Sequence, residues 1–261
     1  MRMPWWKWIL STFVIFSIWI YGAVFIAFGV DHLIRDDTPW ETLLRDLVTF
    51  IPLFIATPLV WRLATKRPVT ELINVSGHVH GARIWRGFAV WFVLSTVGTI
   101  VDFALHSSDY RITFNAQVFV PFLLVTLVLL PVQCWAEEFF FRGWILRWAT
   151  RGSLLSRAVI SGLVFAAPHI GNPEAAQQTL LALASWFVLG AGWAYASARA
   201  GGIELAMGAH LANNVFSLLF VGYADAALPT ASIVSTGSLN LSFTFIAIAL
   251  SMPVFVRLTR K

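Results

Sequence analysis

The apolar stretch Phe122-Leu-Leu-Val-Thr-Leu-Val-Leu-Leu130 is followed closely by Cys134-Trp-Ala-Glu137-Glu138-Phe-Phe-Phe-Arg142-Gly143. The first stretch is long and apolar enough to lie in a membrane. The second places two carboxylates and an arginine in the same apolar surroundings. A charged side chain at membrane depth costs about 2.5–3.5 kcal/mol on insertion scales. We therefore expect Glu137, Glu138 and Arg142 to have a structural or catalytic purpose.

The composition of the whole chain is that of a membrane protein. Of its 261 residues, 58% are hydrophobic and 12% are charged, and the mean hydropathy is +0.76. Soluble domains carry about 25% charged residues. We expect a single all-α integral domain over 1–261 that contacts membrane lipid. The net charge of +5 does not indicate nucleic-acid binding, because Lys and Arg lie at the ends of apolar segments, where they orient helices.

Apolar segments of about 20 residues predict membrane-spanning helices. The sequence contains about eight of them, which predicts a polytopic helical bundle: 8–30, 47–65, 86–105, 115–149, 155–170, 176–199, 203–222 and 239–257. Basic loops alternate with acidic or neutral loops along the chain. This alternation predicts a multi-pass protein with both termini in the cytoplasm.

Three groups of polar residues interrupt the predicted helices. They are Glu137-Glu138 with Arg142, His169 after Phe165-Ala-Ala-Pro, and His210-Leu-Ala-Asn-Asn214. Glu138 and Arg142 are four residues apart, so they share a helix face and can form a supporting ion pair. Glu137 points about 100° away from Glu138 and is left for another partner.

The spacing of these groups predicts that they meet. Arg151-Gly152-Ser153 is typical of a turn, and Glu137 and His169 are equally far from Ser153 in sequence. In an antiparallel helix pair both would lie about 20 Å from the turn. His210 and Asn214 are four residues apart and project together from a later helix. We therefore expect Glu137, His169, His210 and Asn214 to face one cavity.

These residue types fit more than one chemistry. For hydrolysis, Glu137 would be the general base, His169 would orient the water, and His210 and Asn214 would stabilise the oxyanion. A second possibility is a metal such as zinc, with Glu137, His169 and His210 as candidate ligands. A proton relay, an ion site and polar contacts that only join helices are further alternatives. Cys134 as a nucleophile is less favoured, since a lone cysteine in an apolar helix is usually a core residue.

We expect the site to work without a metal. Zinc sites usually orient their histidines through neighbouring carboxylates or carbonyls. Glu138 is the only carboxylate next to this set, and Arg142 is its expected partner, which leaves no acidic group for that purpose. We therefore expect no cofactor, with a divalent metal such as zinc as the alternative.

The three motifs, in this order, resemble the CAAX prenyl endopeptidase and bacteriocin-processing family (CPBP or Abi) of intramembrane proteases. Its pattern is Glu-Glu-x-x-x-Arg, Phe-x-x-x-His and His-x-x-x-Asn, and all three parts occur within 118–222, the expected catalytic core. The resemblance implies a type II CAAX-like endopeptidase in which Glu137 and His169 activate water, and in which the mechanism depends either on glutamate or on a metal. It also implies a peptide or membrane-protein substrate and a bacterial plasma membrane.

Two functions therefore remain open from the sequence. The first is an intramembrane endopeptidase. The second is a non-proteolytic membrane protein, either a bacteriocin-immunity protein or scaffold or a transporter with an ion or proton site, that uses the same polar cavity. The sequence makes no prediction of the oligomeric state.

Overall fold

A computed structural model describes residues 3–34, 37–148 and 152–260. The described part of the chain is mostly helical, which confirms the all-α prediction. The α-helices are α1 Trp5–Leu33, α2 Pro39–Val48, α3 Ile51–Thr65, α4 Thr70–Ile73, α5 Gly81–His106, α6 Ala116–Glu138, α7 Leu146–Trp148, α8 Leu154–Ala166, α9 Pro173–Gln177, α10 Thr179–Ala200, α11 Glu204–Val215 and α12 Leu241–Leu258. Two π-helical segments, Phe139–Ile145 and Phe216–Phe220, continue α6 and α11, and 3₁₀ turns cover Ser107–Asp109 and Ala167–Gly171.

Seven helical segments in the described part of the chain are long and apolar enough to cross a membrane. This finding confirms the polytopic bundle. The segments are Trp5–Leu33, Pro39–Thr65, Gly81–Asp109, Ala116–Ile145, Leu154–Gly171, Thr179–Ala200 and Leu241–Leu258.

The segment predicted at 203–222 forms α11 and its π-helical continuation, and it is not one of those seven. It is shorter and carries Glu204, His210 and two asparagines. Helix α11 nevertheless runs alongside α5, because the two are joined at both ends. The start of α11 is linked to the loop before α5 by a bridge between Asn74 and Gly202, and the strand after α11 belongs to the same sheet as the strand after α5. The two helices approach so closely that a Cβ on Gly208 would overlap the carbonyl of Ile84.

The segment predicted at 47–65 begins earlier than expected, at Pro39. The added helix α2 begins with a capping box, in which the Glu41 carboxylate accepts a hydrogen bond from the Thr38 backbone N–H at 3.2 Å. Its charged residues lower its hydropathy, so it does not stand out as an apolar segment. The turn predicted at 151–153 is followed by α8, and Ser153 caps that helix by accepting from the Ser156 N–H at 3.1 Å. Arg151 lies outside the described residues.

One end of the bundle, here called the basic end, contains the start of α1 and the ends of α3, α7, α10 and α12. The rings of Trp8 and Trp144 lie 4.2 Å apart there, and the Arg83 guanidinium donates to the Ala200 carbonyl at 3.0 Å. The end is named for the basic side chains in its loops and helix termini: Lys7, Arg62, Lys66, Arg67, Arg83, Arg86, Arg147, Arg157, Arg199, Arg257 and Arg260.

The opposite end, here called the sheet end, carries a small sheet in the order β1-β3-β2. The strands are β1 Tyr110–Ile112, β2 Val221–Tyr223 and β3 Val234–Thr236. β1 is antiparallel to β3, and β2 is parallel to β3. The sheet joins the loop after α5 to the long connection between α11 and α12. Carboxylates are frequent at this end: Asp31, Asp37, Asp46, Asp102, Asp109, Glu174 and Asp225.

Candidate functional site

A cavity of about 670 Å³ lies inside the bundle and extends to the sheet end. Glu137, His169, His210 and Asn214 all line it, so the four side chains predicted to converge share one cavity. Its walls continue to the sheet end through α5, α9 and the strands. Among the described lining residues, none belongs to the basic end.

Glu137 lies in the last turn of α6 and is 7% exposed. One turn earlier on the same helix, the Gln133 amide donates to Glu137 Oε1 at 2.7 Å. Glu137 Oε2 has no hydrogen-bond partner among the described residues, and the nearest imidazole nitrogen, His210 Nε2, is 3.8 Å away. The carboxylate is therefore held by one oxygen, and its other oxygen is buried without a hydrogen bond.

Glu138 is fully buried next to Glu137 and makes two contacts through one oxygen. The Arg142 guanidinium donates to Glu138 Oε1 at 2.9 Å, which is the ion pair expected from the four-residue spacing. His210 Nδ1 lies 2.9 Å from the same oxygen. The four-residue spacing predicts only the pair of Glu138 with Arg142. The second contact arises because α11 packs against α6, and spacing along one helix does not reveal such a contact.

His210 lies between the two carboxylates. Its Nδ1 donates to Glu138, because a carboxylate oxygen can only accept, and this leaves Nε2 on the side of Glu137. The Trp193 ring stacks on the imidazole with centroids 5.3 Å apart and planes 28° apart. These contacts fix the orientation of the ring.

His169 lies in the 3₁₀ turn that ends the fifth apolar segment. Its Nδ1 is 2.7 Å from the Phe165 carbonyl, so Nδ1 carries the hydrogen and the neutral ring has Nε2 as an acceptor. The rings of Phe165 and Trp186 lie 4.8 and 5.0 Å from the imidazole. Phe165, the first residue of the second motif, therefore positions His169 through both its carbonyl and its ring.

Asn214 is linked to Glu137 by hydrogen bonds through Gln133. Its amide nitrogen lies 3.2 Å from Gln133 Oε1 and 3.6 Å from Cys134 Sγ. The neighbouring Asn213 donates to Asn214 Oδ1 at 3.1 Å and accepts from Trp91 Nε1 at 3.2 Å. The oxyanion role of Asn214 stays a prediction, and it requires the amide to leave these partners when substrate binds.

Gln133 is the residue that sequence reasoning missed. It connects Glu137 to Asn214, and therefore joins α6 to α11 at the cavity. The signal was present, because Gln133 lies four residues before Glu137, the same spacing that identified Glu138 with Arg142. Cys134, in contrast, is fully buried and does not line the cavity.

The three candidate metal ligands, Glu137, His169 and His210, do not form a metal-binding group here. Across the described ranges, no three His, Cys, Asp or Glu side chains come together in such a group. The sequence-based reason for preferring a metal-free site is nevertheless wrong, since Glu138 does contact His210 as an orienting carboxylate would. The absence of a cofactor stays a prediction.

Fold and site together define a polytopic helical membrane protein with a polar cavity lined by glutamate and histidine. Residues 119–216 match the family described as type II CAAX prenyl endopeptidase Rce1-like. An uncharacterized protein of Bacillus subtilis (strain 168), YyaK, is 32% identical over 203 residues, which cover 75% of this chain and 66% of that protein. The match to residues 119–216 contains all three motifs and confirms the family resemblance that their order predicted.

Proposed function

We propose that this protein is an intramembrane endopeptidase that hydrolyses a peptide bond with a water activated by Glu137 and His169. The proposal rests on the burial and hydrogen bonding of the Glu137 carboxylate. It is a buried carboxylate on the cavity wall, fixed by Gln133 through one oxygen and without a hydrogen bond on the other. The match of residues 119–216 to the Rce1-like family supports the same activity.

Glu137, His169 and His210 each have a separate role in the proposed hydrolysis. Glu137 takes a proton from the attacking water while the water oxygen bonds to the peptide carbonyl carbon. His169 accepts a hydrogen bond from that water through Nε2 and orients it. His210 donates to the oxyanion through Nε2 when its ring carries both protons. The C–N bond then breaks, Glu137 passes its proton to the leaving amine, and the products are a carboxylic acid and an amine.

Glu138 and Arg142 are positioning residues. Glu138 holds His210 Nδ1, and Arg142 balances the charge of Glu138 inside the bundle. The Arg142 guanidinium also lies 4.1 Å from the centre of the Phe165 ring. Through Phe165, which contacts His169, the pair supports both histidines of the site.

We also propose that both termini lie in the cytoplasm and that the cavity opens on the other side of a bacterial plasma membrane. The basic end holds the start of α1 and the end of α12, and cytoplasmic loops are enriched in Lys and Arg. Labelling of spheroplasts with a membrane-impermeant maleimide tests the orientation. Ser108→Cys, at the sheet end, should react in intact spheroplasts, and Thr70→Cys, at the basic end, only after lysis. The reverse pattern would contradict the orientation.

The proposed activity is tested by comparing new peptide termini in membranes from cells that produce the wild type, Glu137→Gln or no protein. A protease generates termini that are present only with the wild type, and their substrates accumulate uncleaved with Glu137→Gln. Identical termini in all three samples, together with a cellular phenotype that Glu137→Gln retains, would instead indicate a scaffold, an immunity protein or a transporter.

A further inference from the structure

The charges on the wall of the cavity all have one sign. Carboxylates of Asp46, Asp102, Asp109, Glu137 and Glu174 line it, and no lysine or arginine does so within the described part of the chain. Most of the described basic side chains lie at the opposite end of the bundle. Arg45 and Arg111 lie at the sheet end but do not line the cavity. A cleft with walls of one charge focuses the field and raises the local concentration of oppositely charged ligands.

Glu174 shows that this charge is not balanced locally. It lies in α9 and is 5% exposed, although it is a carboxylate. Its Oε1 accepts from the Tyr223 hydroxyl at 2.7 Å and from the Ala227 N–H at 3.1 Å. Its Oε2 is buried without a hydrogen-bond partner, and the described residues give it no salt bridge.

Tyr223 is a neutral partner for Glu174. Burial, together with the neighbouring Glu174 carboxylate, raises the pKa of Tyr223 well above its usual value. The phenol therefore stays protonated and donates its hydrogen to Glu174. A neutral donor fixes the position of the carboxylate but leaves the field of its charge in the cavity.

Asp102 faces the cavity from α5 and has the same kind of surroundings. Its two oxygens contact His106 Nδ1 at 2.9 Å and the Tyr110 hydroxyl at 2.7 Å. Neither arginine nor lysine pairs with it in the described residues. Two fixed carboxylates, on α5 and α9, therefore belong to the path between the sheet end and Glu137.

We propose that the cavity takes a cationic peptide segment, with a lysine or arginine side chain near the scissile bond, and disfavours a segment that brings a carboxylate to the same place. This inference rests on the proposed endopeptidase function and specifies its substrate class. Glu174 is the specificity-determining residue, with Asp102 as its counterpart on α5. The substrate enters from the sheet end.

Binding can be measured apart from cleavage in the Glu137→Gln variant, reconstituted in nanodiscs of zwitterionic lipid. The probes are three labelled peptides of leucine and alanine that differ at one central position, which is Lys, Gln or Glu. The Lys peptide should bind at least tenfold more tightly than the Glu peptide at low salt. Added salt should reduce the difference, because salt screens charges.

Glu174→Gln, introduced into the same background, should reduce the Lys-to-Glu preference at least threefold and leave the affinity of the Gln peptide unchanged. Asp102→Asn serves as the second variant if Glu174→Gln fails to fold. Glu71→Gln is the matched control. Glu71 lies at the basic end, does not line the cavity and pairs with Arg67 at 3.2 Å, so its replacement should leave the preference unchanged.

The outcomes separate this inference from the function on which it rests. Equal affinities for the three peptides, no measurable binding of the Lys peptide, or an equal effect of Glu71→Gln and Glu174→Gln would overturn the charge preference. Cleavage of peptides by the wild type without regard to their charge would support the proposed function and contradict the charge preference. A charge preference in binding, with no cleavage by the wild type, would support the charge preference and contradict the proposed function.

Discussion

The two ends of this bundle differ in whether they give access to the cavity. At the basic end, the loop that contains α4 packs over the helix termini. A Cβ on Gly143 would lie 3.0 Å from Leu72, and the Val75 N–H donates to the Gly201 carbonyl at 2.9 Å. At the sheet end, the loops and strands line the cavity that leads to Glu137. The end with the positive charge is closed, and the end with the carboxylates gives access to the site.

Two buried glutamates show what this difference means for function. Glu137 and Glu204 each have one oxygen bound and one oxygen without a partner among the described residues. Glu204, at the basic end, accepts from the Asn74 amide at 2.8 Å and from the His80 N–H at 3.2 Å, and it does not line the cavity. It attaches the loop before α5 to the start of α11. Burial of the carboxylate therefore does not distinguish Glu137 from Glu204, whereas a place on the cavity wall does.

The largest stability effect is expected at the closed inner part of the site. Glu138→Ala and Arg142→Ala should each lower the free energy of unfolding by about 3–5 kcal/mol, since each leaves a buried charge without its partner. Unfolding in detergent measures this effect. Glu71→Ala removes an exposed pair of the same spacing at the basic end, and we expect a loss below about 1 kcal/mol. Equal stability of all three variants would contradict the positioning role of Glu138 and Arg142.

Smaller changes in stability are expected from substitutions at Gly87 and Gly98 of α5, because the space around these two glycines differs. A Cβ on Gly87 would overlap the Leu205 carbonyl of α11, whereas a Cβ on Gly98 would meet only Ala247 at 3.9 Å. Gly87→Leu should destabilise the protein by about 1–3 kcal/mol through overpacking. Gly98→Ala should be neutral or stabilise it by up to about 1 kcal/mol, because alanine is the better helix former. Thermal unfolding of both variants checks this order, and the reverse order would contradict the close contact between α5 and α11.

The sequence predicted those parts of the molecule that depend on local patterns. Apolar runs located the membrane helices, and the four-residue spacing located the Glu138–Arg142 pair. Helix α2 was missed because its charges mask it, although Thr38 and Glu41 form a recognisable capping box. The contact between Glu138 and His210 joins residues far apart in the chain, and it follows only from the packing of α6 against α11. No local pattern contains that information.

The smallest effect is expected from chelation of metals. Without a metal, turnover by the purified protein should stay within about twofold after exhaustive treatment with a chelator, because Glu137 itself is the base. Metal content is measured in parallel. Loss of activity that stoichiometric zinc restores would instead make Glu137 a ligand.

Turnover by purified Glu137→Gln and Glu204→Gln, measured on a substrate identified from the new peptide termini, tests the central claim most directly. Both changes replace a buried carboxylate by an amide of the same shape, so unfolding in detergent serves as the common control. With both variants folded, we expect Glu137→Gln to lose at least about a thousandfold in kcat, because the general base is removed from the activation of water. We expect Glu204→Gln to stay within a few fold of the wild type. Wild-type turnover by Glu137→Gln would show that Glu137 is not the general base.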